Sequence, residues 1–305
     1  MADLSSDLPD AVGDAAQAVD QAPSPPEGAP GTREPGRAGR NLPAAIAVGL
    51  GLGAAITGTL FSPARWTFVV LVMAAVAIGT REIVLALRTL GAEPPLLPLL
   101  AGGAAMVALA YRSGPSALFL ALVLTVLGAL VWRLADPAEG FLRDVAAGTF
   151  TAVYVPFLAG FAALLAVPPD GPRRVTVFIA LVVCSDVGGY AAGVFFGKHP
   201  MAPSVSPKKS WEGFAGSAAA CTVAGALLLF FLFDANPLLG VLIGLAVVAS
   251  ATLGDLGESM VKRDIGIKDM GTLLPGHGGI MDRLDSLLPT APVVWLLLTA
   301  FVPLP

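Results

Sequence analysis

The chain has 305 residues and a formal net charge of −4; 13% of its residues are charged, 55% are hydrophobic, and its mean hydropathy is +0.78. Soluble domains carry about 25% charged residues, so this composition excludes a water-soluble globular enzyme and requires a protein that crosses a membrane several times. The two cysteines, Cys184 and Cys221, both sit in apolar runs, where cysteine packs as a small hydrophobe, and they imply neither a disulfide framework nor a thiolate metal site.

Residues Met1 to Arg40 are rich in Ala, Pro, Gly and Asp and contain no apolar run. Such a segment cannot bury enough surface to order itself and is expected to be a disordered cytoplasmic tail. It has no hydrophobic stretch of the kind a cleaved signal peptide needs, so the first apolar segment is expected to stay in the mature protein. The remainder, 41–305, is expected to be one transmembrane domain.

Apolar segments then follow at lengths near the ~20 residues that cross about 30 Å of hydrocarbon. They run from Leu42 to Phe61, Trp66 to Leu87, Leu96 to Tyr111, Ser116 to Ala135, Val145 to Val167, Val175 to Phe196, Gly213 to Phe233, Pro237 to Leu253 and Leu287 to Val302. Backbone groups in lipid must be satisfied within the segment, so these are helices and the fold class is an all-α polytopic transmembrane bundle of about nine spans. The third segment is short, which leaves open an eight-span arrangement with that piece re-entrant. Gly49, Gly51, Gly53 and Ala54 in the first span are expected to let helices approach closely.

The Lys and Arg distribution orients the bundle. With nine spans and the N-terminus inside, 13 of the 18 basic residues fall on inner segments, four (Arg65, Arg112, Arg173 and Arg174) on outer loops, and Arg81 within a span. This positive-inside bias puts the Lys208 region and the last long polar segment on the cytoplasmic side of the plasma membrane.

Ionisable residues inside spans are costly and usually face an interior or a wet cavity. Asp186, beside Ser185 halfway along the sixth span, is the clearest, and Gly188 and Gly189 next to it allow close approach. Arg81 and Glu82 in the second span fit bundle pairing as well as function. Phe230, Phe231 and Phe233 read as lipid-facing bulk, and Trp211 as an interfacial aromatic close to Lys208 and Lys209.

The densest polar stretch is Gly254 to Ser286, with 10 charged residues in 33. Asp255, Glu258, Asp269, Asp282 and Asp285 can hold a hard divalent cation through oxygen, while Lys262, Arg263, Lys268 and Arg283 can neutralise phosphate. Gly276, His277, Gly278 and Gly279 follow Pro275, which favours an open loop whose backbone N–H groups can meet phosphate oxygens.

At Ser259, Lys262, Arg263, Lys268, Asp269, Pro275, His277, Gly278, Gly279, Asp282, Arg283 and Asp285 the sequence resembles the signature of the phosphatidate cytidylyltransferases, also called CDP-diacylglycerol synthases. The block from Ser206 to Gly213, SPKKSWEG, is similar to a second segment of that family, and Ser185-Asp186 through Gly197-Lys198 to an upstream one. The resemblance therefore covers about Asp186 to Asp285, within a catalytic portion of about 184–286.

The resemblance implies an integral membrane enzyme that joins CTP to phosphatidic acid in phospholipid synthesis, giving CDP-diacylglycerol and pyrophosphate. It implies a magnesium centre held by Asp255 and Asp282, which with Lys262 and Arg263 form the expected catalytic set, and it leaves room for a second, monovalent or divalent, cation and for a homodimer. Asp186, Glu258, Asp269 and Asp285 are expected behind the metal or on water. Ser206, Lys208 and Lys209 are expected on the triphosphate, Ser259, His277, Gly278 and Gly279 around the substrates, and Lys268 and Arg283 shared with Lys262 and Arg263 between the two phosphate-bearing substrates. The lipid bilayer is a partner, and nucleic acid is not.

Two other classes compete. A CTP-dependent lipid kinase would move the γ-phosphoryl group instead. A transporter would show paired broken helices in two similar halves, whereas the charge here gathers in the last third.

Overall fold

The computed structural model describes residues 42–304 except 272 and 274–277. The expected disordered tail, Pro275, Gly276 and His277 lie outside the described residues. Residues 41–305 form one compact unit.

The helices are α1 (Leu42–Leu60), α2 (Trp66–Arg88), α3 (Leu96–Ser113), α4 (Pro115–Arg133), α5 (Phe141–Ala152), α6 (Leu158–Ala166), α7 (Gly171–Phe196), α8 (Trp211–Phe233), α9 (Pro237–Ile265), α10 (Met281–Leu284) and α11 (Leu287–Phe301). Among the described residues, eight helical stretches are long and apolar enough to cross a membrane, α5–α6 counting as one and α10–α11 as another. The first expected span is present as the 19-residue α1, apolar over Gly49–Leu60. The third is a full 18-residue helix. The outer surface carries large apolar side chains, including Phe119, Leu124, Val194, Phe230 and Phe231, as a lipid-facing surface must.

Three boundaries differ from expectation. The span expected at Val145 to Val167 starts at Phe141 and is interrupted by a π-helical turn, Val153–Phe157, around Pro156, because proline removes a helix donor and crowds the preceding turn. The sixth span starts at Gly171, with Pro172 at its first turn. Most consequentially, the span expected to end at Leu253 continues to Ile265, where Gly266 closes it with a left-handed cap (φ 80°). The charge that looked like the end of a span is the last three turns of a helix.

One element was not expected: β1 (Pro200–Ala202) pairs antiparallel with β2 (Ser206–Ser210), Pro200 opposite Ser210 and Ala202 opposite Ser206. This ribbon fills the α7–α8 connection.

Buried ion pairs tie the two ends of the bundle. Arg174, at the start of α7, donates to both Asp170 carboxylate oxygens (2.9 Å each) and to the carbonyls of Leu298 and Val302 (3.0 Å each) at the end of α11. Its guanidinium also lies 5.8 Å from the Phe233 ring centre. At the other end Arg133 donates to Asp144 (2.8 Å) and to the carbonyls of Pro137 and Glu139, while the Glu93 amide donates to Asp144 (2.8 Å).

Helices α7, α8 and α9 touch backbone to backbone. A Cβ built on Gly188 would meet Ala220 and the Gly216 carbonyl, and one on Gly225 would meet the Gly240 carbonyl. One on Gly244 would meet the Cys221 carbonyl. Small residues here do what they are expected to do in membranes. The first span corrects that expectation: Cβ atoms built on Gly49, Gly51 or Gly53 meet nothing within 4 Å. α1 packs chiefly on α2, so its glycines border open space instead of a neighbouring backbone.

Candidate active site

Asp186 stands on α7, four residues before the exposed Tyr190, and faces two cavities. The first, about 300 Å³, is the more polar of the two: Ser185, Asp186, Ser206, Lys208, Lys209, Ser210, Ser217, Thr252, Asp255 and Ser286 contribute to its wall, with Tyr190, Met201 and Phe214 among them. The second, about 380 Å³, is an apolar groove between α1, α2, α6, α7 and α11, with Asp186, Asp282, Arg283, Asp285 and Ser286 at its polar end. Asp186 and Ser286 belong to both. Both volumes fall at the lower end of the ~300–1,000 Å³ usual for ligand sites.

The β-ribbon presents the basic wall of the polar cavity. Ser210 caps α8, its Oγ accepting from the Gly213 amide at 3.1 Å. Glu212 in the first turn braces the ribbon's entry, accepting from the amides of Lys198 (3.1 Å) and His199 (3.2 Å) and pairing with the His199 ring. Lys209 is thereby aimed across the cavity at Asp255, with which it forms an ion pair, while Lys208 stays exposed at the rim.

The prolongation of α9 sets the opposite wall. Asp255, Glu258, Ser259 and Lys262 recur at the three- and four-residue spacing that puts side chains on one helix face. Ser259 Oγ lies 3.5 Å from Asp255, and Lys262 Nζ reaches Glu258 at 3.0 Å and Asp282 at 2.8 Å. Gly254 permits this wall to close on α11, since a Cβ there would strike the Asp285 carbonyl and Pro289. Arg263 donates to the Val205 carbonyl (3.4 Å), joining the helix end to the ribbon.

Asp282 is an organising carboxylate. Besides Lys262 it accepts from the Met270 amide (3.1 and 3.0 Å to its two oxygens) and the Gly279 amide (2.7 Å). It thus ties together α9, the segment after it and the glycine loop. Gly278 adopts φ 75°, and a side chain there would collide with Asp282; the glycine is required by both conformation and space.

Glu82, which by sequence fits bundle pairing as well as function, has a specific structural task. Buried on α2, it accepts from the amides of Ile280 (3.2 Å) and Met281 (2.8 Å) and lies against Gly271 and Gly279. The signal was available: an acid in an apolar helix with no base three or four residues away on its own face, the adjacent Arg81 being exposed on another. Its partner amides, about 200 residues away, were not legible.

The sequence-derived set is therefore only partly convergent. Asp186, Asp255, Ser206, Lys208 and Lys209 share the polar cavity, whereas Asp282, Asp285 and Arg283 reach the groove. Asp186 lies within electrostatic range of Asp255, Lys209 and Arg283, and Asp285 within range of Asp255 and Lys262. Lys268 and Asp269 are exposed, Asp269 packing beside Gly278. His277 lies outside the described residues.

The donor set is one of hard oxygens without thiolate or imidazole, which suits magnesium. Among the described residues no three acidic, histidine or cysteine side chains converge as an all-protein cage. Magnesium seldom uses one: it keeps waters and takes one or two carboxylates together with substrate phosphates. Buried oxygens without a hydrogen bond gather nearby. Glu258 is fully buried, with the Lys262 ammonium beside it as an ion-pair partner and no directed hydrogen bond, and the Tyr154 hydroxyl, within its electrostatic range, is likewise unpartnered. Such groups are rare unless an ion or water completes them, so the residues present fit the cation.

Residues 43–301 match the model of the cytidylyltransferase family. The phosphatidate cytidylyltransferase of Mycobacterium leprae (strain TN) is 47% identical over 285 residues, covering 88% of this chain and 91% of that one. That of Mycobacterium bovis is 46% identical over 280 residues, covering 87% and 91%. That of Haemophilus influenzae is 46% identical over 123 residues, covering 38% and 42%.

Proposed function

This chain belongs to the cytidylyltransferase family, the premise from which we propose where its chemistry happens: it is a multi-pass membrane enzyme that transfers the cytidylyl group of CTP to phosphatidic acid, giving CDP-diacylglycerol and pyrophosphate, and the two substrates meet at Asp186 and Ser286. The observation that carries the proposal is the junction of a polar cavity with an apolar groove at those two residues. A triphosphate suits the first, a diacyl lipid the second.

A phosphate oxygen of the lipid attacks the α-phosphorus of CTP. The bond from that phosphorus to the bridging oxygen of the β-phosphate breaks, and pyrophosphate leaves with the electron pair. The lipid phosphate is already ionised, so no strong base is needed. The obstacle is repulsion between two anions and the charge gathering on the leaving group.

The basic residues answer that obstacle. Lys208, Lys209 and Ser206 on the ribbon bind the triphosphate, and Lys262, Arg263, Lys268 and Arg283 divide between its far end and the lipid headgroup. Ser259, His277, Gly278 and Gly279 complete the contacts around them. Lys209 and Lys262 now sit on Asp255 and Asp282. As phosphate oxygens arrive, each lysine turns to them, and the two carboxylates become available as ligands. Asp255 and Asp282 would hold magnesium, with Asp186, Glu258, Asp269 and Asp285 behind it or on water. Bound magnesium supplies charge neutralisation and Lewis-acid polarisation of phosphate oxygens. A second cation would find the remaining acidic oxygens around Asp285 and Glu258.

The ribbon and the end of α9 face the cytoplasm, where CTP is found; the distribution of Lys and Arg supports this. The membrane is the plasma membrane, residues 41–305 are the catalytic unit and 1–40 a cytoplasmic tail. The apolar outer faces of α4 and α8 are where lipid, or a second copy in a homodimer, would lie. A cysteine in place of the exposed Lys268 tests the orientation: an impermeant thiol reagent should label it only after the inner face is opened, and labelling of intact cells would reverse the assignment.

The reaction is tested with purified protein, phosphatidic acid, magnesium and CTP labelled at either phosphate. Label from the α-phosphate should enter the lipid and label from the γ-phosphate should not. The reverse pattern would make the enzyme a lipid kinase.

A further inference from the structure

The groove's outer wall is α1, and the four α1 residues that line it, Gly49, Leu52, Gly53 and Ile56, recur at i, i+3, i+4 and i+7, a single helix face. Two of the four are glycines with nothing within 4 Å of a built Cβ. The opposite walls carry Phe68 and Val72 on α2 and Phe178 and Val182 on α7, with the smaller Ala75, Ala159, Ala162 and Ala291 between them. Residues with no side chain at all thus occur in this lining on α1 alone, and on the side that faces the groove.

We propose that this face of α1 is the acyl gauge of the enzyme: Gly49 and Gly53 leave the space in which a chain of the phosphatidate lies, and so set which acyl lengths are accepted. The occupant follows from the groove's two ends. Its body is apolar, and its head carries Arg283 with Asp186, Asp282, Asp285 and Ser286, where the polar cavity with Lys208 and Lys209 begins. A ligand that fills both has a hydrocarbon part and an anionic part joined at that point. The inference rests on the proposed reaction, since that reaction supplies the lipid. It adds residues that lie within the family match, 43–301, but far from the charged motifs between Asp186 and Asp285.

The measurement is the ratio of kcat/KM for a long-chain substrate, dioleoyl phosphatidate, to that for dihexanoyl phosphatidate. Gly53→Leu and Gly49→Leu each fill the gauge, and either should lower the ratio about tenfold or more, the scale on which apolar pockets discriminate by a methylene or two. Gly51→Leu is the control. It changes the same helix by the same side chain at a glycine that does not line the groove, and should leave the ratio at the wild-type value. An unchanged ratio in both gauge variants, or an equal fall in Gly51→Leu, would overturn the proposal.

A second readout separates this failure from failure of the reaction itself. Dioleoyl phosphatidate carrying a photoreactive group at mid-chain should label the peptide spanning 49–60 in the wild-type protein and label it several-fold less in Gly53→Leu. Labelling without any CDP-lipid product would keep the groove and reject the reaction. Product without labelling of that peptide would keep the reaction and reject the gauge.

Discussion

Helices α7, α8 and α9 bring their glycines against one another, whereas α1 leaves its glycines bare. In the first group each small residue meets a partner at the same height: Gly188 with Gly216 and Ala220, Gly225 with Gly240, Gly244 with Cys221. That matching pulls three backbones together and fixes the walls from which Asp186 and Asp255 project. In α1 the residues facing Gly49 and Gly53 across the groove include bulky Phe68 and Phe178, and the space stays open. A glycine in an apolar helix reports a bare stretch of backbone; its partner decides whether that becomes a contact or a cavity.

The comparison can be broken most violently in the packed group. Gly225→Leu drives a side chain into the Gly240 backbone, which cannot move aside as a side chain could. Overpacking usually costs about 1–3 kcal/mol, and this contact should exceed that range and abolish the folded species. Size-exclusion chromatography in detergent is the check, and a monodisperse variant at wild-type yield would show that the close approach is dispensable. Next come the carboxylates held by the packed walls. Asp255→Asn or Asp282→Asn removes a full charge with little change of shape, so transfer should fall by orders of magnitude while the protein still elutes as one species. Magnesium chelation should reproduce the loss reversibly in the wild type. Near-normal rates in both variants would remove these residues from the metal assignment.

Smaller effects follow. Glu82→Ala strands the amides of Ile280 and Met281 in a buried setting, at about 1–3 kcal/mol per unsatisfied group. The glycine loop should loosen, with faster hydrogen exchange at those two amides and a larger fall in kcat than in affinity for CTP. Unchanged exchange would leave Glu82 without its anchoring role. The smallest effect belongs to α1: Gly51→Leu should move thermal stability by no more than about 1 kcal/mol, in the stabilising direction, because leucine is the better helix former. A large destabilisation would mean that α1 is packed after all.

The order of spans was legible because each apolar run is long and interrupted by polar turns. The end of α9 was not. Asp255, Glu258, Lys262 and Arg263 look like a loop by hydropathy, yet their spacing continues the helix until Gly266 stops it. The ribbon was invisible because Ser206 to Ser210 has no apolar alternation, being held by pairing with Pro200–Ala202 instead. Of the site, the residue types near Asp186, Lys209 and Asp255 were readable and their convergence is real. The partition between Asp255 in the polar cavity and Asp282 beneath the glycine loop was not, because it depends on how closely Gly254 lets α9 approach α11. The groove lay beyond reach as well, since nothing in α1 itself says that its glycines are unopposed.

The central claim is that nucleotide and lipid occupy separate cavities that meet at Asp186 and Ser286. Its most direct test is to measure, on one preparation of Lys209→Ala, the equilibrium affinity for CTP and the KM for phosphatidic acid. Losing a charge-assisted contact of about 1.5–3 kcal/mol should weaken CTP binding roughly ten- to a hundredfold while the lipid KM stays within about twofold. Equal weakening toward both substrates would contradict the division.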